Sequence, residues 1–241
     1  MSAFDNFFFV ALPYVAAVVF LVGAVYRYRV QPFKISSLSS QFLENGRLSW
    51  GSLPFHEGMV AVILLHLAAL FFPNTLLAWN SRPVRLIALE ITGFVFALGL
   101  LYGLIVLFFR RVLNSRIRAV TTWADVFVEL LLLYQVISGC IIALNYRWGS
   151  SWFASDLSPY LWSLAKFNPH TDAIKAMPSL VRSHVVGAFL TILIFPFTRL
   201  MHLLVTPFDY PFRPEQQVIW NWDRKAINDP ASPWDKHGPG N

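Results

Sequence analysis

The chain has 241 residues, of which 56% are hydrophobic and 13% charged, with a formal net charge of +6. That balance excludes a soluble globular protein and reads as one integral membrane bundle. Its single cysteine, Cys140, excludes an intrachain disulfide, a cysteine-ligated cluster and covalent c-type haem. The basic residues flank apolar runs instead of forming a patch with interleaved aromatics, so nucleic acid is not an expected partner.

In chain order, the first apolar run, about 4–26, carries Asp5 as its only charge and has the length needed to cross a bilayer. It has neither the basic start nor the short apolar centre of a cleaved signal, so it is expected to remain as a helix. Arg27, Arg29, Lys34 and Arg47 follow, which by the positive-inside rule places that loop in the cytoplasm and the N-terminus outside. A second helix is predicted at about 55–72, ended by Pro73-Asn74. A third, 86–109, runs into Arg110, Arg111, Arg116 and Arg118. A fourth, 123–144, leads to a segment rich in Trp, Tyr and Pro, as interfacial segments are, and a fifth occupies 180–205.

The sequence therefore predicts an all-α integral membrane protein: a five-transmembrane-helix bundle over 1–206, N-terminus outside and C-terminus cytoplasmic. Residues 207–241 read as a cytoplasmic tail that contacts partner subunits. Thirteen of the nineteen Lys and Arg residues fall on the cytoplasmic side of this arrangement.

Four histidines lie within these apolar runs. On a helix, His56 and His66 are ten residues or ~15 Å apart, and His184 and His202 eighteen residues or ~27 Å apart on one face. An ionisable side chain inside a membrane span marks a functional site by default. A lone membrane histidine is more often a hydrogen-bonded packing residue than a ligand; four on two antiparallel helices favour ligation of two b-type haems. The opposite helix directions require crosswise pairing, His56 with His202 and His66 with His184. The unequal spacings must be absorbed by tilt. Gly58, Ala68, Ala69, Gly187 and Ala188 on the same helices leave room for a flat macrocycle or for close helix packing.

Four stretches carry a family resemblance over residues 4 to about 210: FFFVALPYVAAVVFLVGAVYRY, SSQFLENGRLSWGSLPFHEG, FRRVLNSRIRAVTTWAD and RSHVVGAFLTILIFPFTRLMHLLVTPFDY. The chain resembles the γ subunit of respiratory nitrate reductase, a dihaem cytochrome b. The resemblance implies an outer haem b on His66 and His184, and a cytoplasmic-side haem b on His56 and His202, with these four histidines as the iron ligands. It implies oxidation of a quinol, menaquinol or ubiquinol, beside the outer haem, with Arg85 and His66 in the quinol site. Arg85 stands where the family often has lysine, and Leu65 where it can have glycine. The implied partners are an iron–sulfur β subunit, a molybdenum-containing catalytic α subunit where nitrate is reduced, membrane lipid and the quinone pool, in the cytoplasmic membrane of a prokaryote.

Arg110 and Arg111 suit either haem propionates, as forked carboxylate binders, or a topological role. Asp125 and Glu129, one turn apart, are expected to pair with Arg116 or Arg118. Glu90 is a weaker candidate for accepting a quinol proton, and His170 and His237 read as surface residues. The same dihaem pattern also serves a nitrite oxidoreductase or a sulfur or heterodisulfide complex. A haem-free anchor is the non-redox alternative.

Overall fold

The computed structural model describes residues 3–30 and 48–205. The expected loop around Lys34 and Arg47 and the tail 207–241, with His237, lie outside the described residues. Among the described residues there are no strands, and five helices are long and apolar enough to cross a membrane. They are α1 (Phe4–Val30), α2 (Leu48–Phe71), α3 (Pro83–Leu113), α4 (Trp123–Asn145) and α5 (Ser179–Phe197). α2 begins earlier than expected, and α3 is longer at both ends.

Prolines explain much of the departure from straight helices. Pro13 has no N–H to give to the Phe9 carbonyl. The helix widens into a π turn over Phe7–Ala11, and the Tyr160 hydroxyl donates to Phe9 O at 2.8 Å instead. Pro73 ends α2 and starts a short helix, Pro73–Asn80. In the last turn of α2, Leu70 O accepts from Ser158 Oγ at 3.0 Å and Trp162 Nε1 at 2.9 Å. The partners for these carbonyls come from the segment between α4 and α5. That segment is a cap of short helical pieces, including Gly149–Trp152, Ser158–Ala165 and Asp172–Ala176. It buries Tyr160 and Ile174 against Phe9 of α1 and Val185 of α5. Burial, with Tyr14 alongside, pushes the Tyr160 phenol well above its usual range, which keeps it a hydrogen-bond donor.

α2 packs chiefly on α3, α3 on α4, α4 on α5, and α5 on α1. The α2–α3 contact is backbone against backbone. A Cβ on Gly58 would meet the Phe96 carbonyl at 2.6 Å, and one on Gly103 the Phe55 nitrogen at 2.5 Å. Small residues permit this approach where lipid supplies no hydrophobic drive between helices. Leu100, Leu104, Val136 and Cys140 form the core below it, so Cys140 acts as a small buried apolar residue. Large apolar side chains such as Val22, Leu64 and Val95 stay exposed around the outside, as lipid contact allows.

The fifth span corrects an expectation. An unbroken helix over 180–205 does not form: the α-helix stops at Ile194, Phe195–Phe197 is 3₁₀, and Thr198 is extended at φ −117°, ψ 174°. A second 3₁₀ segment, Arg199–Val205, follows. Pro196 removes the amide that would bond the Ile192 carbonyl and crowds that turn. Thr198 Oγ1 then accepts Leu200 N at 3.2 Å, starting a new segment in the manner of an N-cap. Gly23 of α1 lies against the Pro196 ring, and Phe20 meets Phe195 edge-on at 5.4 Å. The ~27 Å axial separation of His184 and His202 calculated for a continuous helix therefore does not apply.

Candidate haem-ligand site

A histidine on a helix can turn its Nδ1–H back to a carbonyl of the preceding turn. His56 does so to Ser52 O at 2.7 Å, His66 to Val62 O at 2.7 Å and His202 to Arg199 O at 2.6 Å. A carbonyl can only accept, so Nδ1 carries the proton and the lone pair falls on Nε2. His184 is held across helices: Ser138 Oγ lies 2.8 Å from its Nδ1 and 3.1 Å from Gln135 O, and with the hydroxyl hydrogen on that carbonyl it accepts from Nδ1. All four imidazoles are oriented through Nδ1, which leaves Nε2 for a ligand, an arrangement that histidines also adopt in protein metal sites.

Two of the rings meet across helices. His56 and His202 have centroids 6.5 Å apart with an interplanar angle of 67°. Two imidazoles on opposite sides of one metal, at about 2 Å per bond, have centroids about 6 Å apart. His66 has Phe153 of the cap edge-on at 5.5 Å. Gly139 of α4 borders the His184 ring; a Cβ there would come within 3.3 Å of Cε1 and 4.0 Å of Nε2. His56 and His66 are exposed on a membrane-spanning helix, where bare lipid contact is costly for a polar ring. Among the described residues, no three or more His, Cys, Asp or Glu converge as a protein-only metal cage.

The other candidates sit at the two ends of the bundle. Arg85 is exposed at the start of α3 with its guanidinium 5.3 Å over the Trp79 ring. Glu90 Oε1 accepts from Ser150 N at 2.9 Å and Ser150 Oγ at 2.6 Å, which joins α3 to the cap. Arg110 is buried at the end of α3. Asp125 and Glu129 pair with Arg111 and Arg199, and not with Arg116 or Arg118. Arg111 Nε is 2.7 Å from Glu129 Oε2, and Arg199 Nε is 2.6 Å from Asp125 Oδ1. The reason is helical phase: Arg110 and Arg111 still belong to α3, which faces α4, whereas Arg116 and Arg118 follow the break at Asn114. His170 is exposed in the cap.

The profile described as nitrate reductase gamma subunit matches residues 5–221. The chain belongs to this family. A nitrate reductase gamma chain of Bacillus subtilis (strain 168) is 27% identical over 203 residues, 83% of this chain and 91% of that one. The respiratory nitrate reductase 2 gamma chain of Escherichia coli (strain K12) is 30% identical over 219 residues, 88% of this chain and 95% of its own length. The respiratory nitrate reductase 1 gamma chain of the same organism is 29% identical over 226 residues, 90% and 98%. As a gamma subunit the protein is a multi-pass membrane component of a nitrate reductase complex, working with other subunits.

Sequence reasoning found the four histidines and passed over the groups that hold them in this subunit. Ser52 stands four residues before His56, a spacing visible in the sequence. Ser138 and Gly139 lie on α4 and share no spacing with any histidine, so only packing reveals them. The Pro196 and Thr198 pair inside an apolar run was a legible stop-and-restart signal.

Proposed function

We propose that this gamma subunit is a dihaem cytochrome b that oxidises quinol near His66 and His184 and delivers the electrons to an iron–sulfur subunit on the cytoplasmic side. The observation that carries the reading is the orientation of the four histidines: each is held through Nδ1, and His56 and His202 face each other across helices at 6.5 Å. When bound, the haems supply one-electron carriers near the two membrane faces. His66 and His184 would hold one, and His56 and His202 the other.

The chain's own residues do the rest. Ser138 and the carbonyls of Ser52, Val62 and Arg199 fix ring orientation and raise ligand basicity. Because His66 Nδ1 already carries a proton toward Val62 O, it can share a donor bond with a quinone oxygen but cannot serve as the base that takes a quinol proton. Arg85, steadied over Trp79, would bind the quinol oxygen by charge and hydrogen bonding. Arg110 and Arg111 are candidates for holding the haem carboxylates near the basic end, with Arg111 already shared with Glu129.

The orientation follows from charge: Arg110, Arg111, Arg116, Arg118 and Arg199 put that end in the cytoplasm of a prokaryotic cell, and the N-terminus outside. Residues 1–206 then form the membrane domain, and 207–241 a tail toward the iron–sulfur and molybdenum-containing subunits, the latter reducing nitrate. The quinol is menaquinol or ubiquinol. The test is a reduced-minus-oxidised spectrum of the purified complex with a haem count. Two b haems per gamma subunit, reduced by quinol, are expected, and absence of a b-type α band would refute the reading.

A further inference from the structure

His202 is the one ring of the four that does not hang from an α-helix. Its anchor is a carbonyl three residues back, in a 3₁₀ segment that Thr198 separates from α5. Such segments are short and hold direction poorly by themselves. The anchoring residue, Arg199, is instead clamped to α4. Its Nε lies 2.6 Å from Asp125 Oδ1, and one terminal nitrogen lies 2.7 Å from Oδ2, the forked geometry that gives arginine–carboxylate pairs both strength and direction. Asp125 is in turn fixed. It is 8% exposed, and its Oδ2 accepts from Thr122 N and Thr122 Oγ1, each at 2.9 Å, within the capping box that starts α4. The other acid of that helix, Glu129, is taken by Arg111, which also reaches Asp125 Oδ2 at the longer distance of 3.8 Å.

We propose that Asp125 is the positioning residue for His202: through its two-pronged pair with Arg199 it holds the peptide carbonyl that fixes the His202 ring opposite His56. The inference rests on the dihaem reading and adds an asymmetry to it. The cytoplasmic-side haem depends on an ion pair to α4, and the outer haem does not. An ion pair that only joined two helices would weaken the whole bundle and affect both haems alike.

The experiment compares the intact membrane complex carrying Asp125→Asn, Arg199→Lys or no substitution. The readouts are low-spin and high-spin haem signals by electron paramagnetic resonance, redox titration and carbon monoxide binding after reduction. Asp125→Asn is expected to convert one haem of the two to a high-spin, carbon monoxide-reactive form or to lose it. Removal of such an outer partner typically costs about 10–100-fold in metal affinity. Arg199→Lys keeps the charge without the fork and is expected to shift the potential of the same haem by less. The outer haem should stay low-spin and unshifted in both variants. Two unshifted low-spin haems in both variants, or equal loss of both haems, would overturn the proposal. If Asp125→Asn fails to assemble, an unshifted Arg199→Lys complex would overturn it alone. A wild-type complex without two haems would instead remove the dihaem reading itself.

Discussion

The two ends of the bundle present the same imidazole chemistry on different supports. At the capped end His184 sits on a regular α-helix, its Nδ1 hydrogen-bonded at 2.8 Å to the neutral hydroxyl of Ser138 and its flank cleared by Gly139. A protein roof covers this end. Asp5 pairs with Arg182, whose guanidinium lies 5.2 Å over Phe9 and ties α1 to the histidine helix. At the basic end His202 sits beyond a helix break, and its neighbourhood is held by charges: Arg199 with Asp125, and Arg111 with Glu129. Regular helix geometry can aim a side chain without further help. Where Pro196 has ended that geometry, an interaction between helices must aim it, and a span end is where an ion pair costs least to place.

Removing one of the histidines is the severest perturbation of either end. His184→Ala should abolish the outer haem and leave the His56 and His202 site spectrally intact, and His202→Ala should do the reverse. In each case haem content should fall from two to one per subunit, measured as haemochrome against protein; loss of both from either variant would mean that the ends are not independent. Gly139→Val should come next, since its branched side chain would enter the space beside His184, and loss of the outer haem alone is the expected spectrum.

Ser138→Ala should act on the same haem more mildly. It leaves His184 Nδ1 without its partner in a half-buried site, at about 1 kcal/mol, and a shifted outer-haem midpoint in a redox titration is the measurement. Tyr160→Phe should be the smallest effect. It removes the donor to the carbonyl that Pro13 leaves open, at about 1 kcal/mol. The thermal midpoint should drop with both haem spectra unchanged, which would separate the cap's structural role from ligation.

The membrane class and the number of spans are legible in the residue order, because apolar runs of bilayer length have few other outcomes. So are the family and the four histidines, since a polar ring within such a run is conspicuous. The segment between α4 and α5 read only as an interfacial loop, because its helices are short and depend on Phe9 and Leu70 carbonyls far away in the chain. Tertiary structure alone decided which groups hold the rings. Ser138 is 46 residues from His184, and Asp125 is 74 from Arg199; no periodicity links them, and they meet because α4 packs on α5. It also decided the path after Ile194, where the hydropathy pattern continues but the hydrogen-bond ladder cannot, since a proline keeps the apolar character of a helix while withdrawing the amide that would extend it.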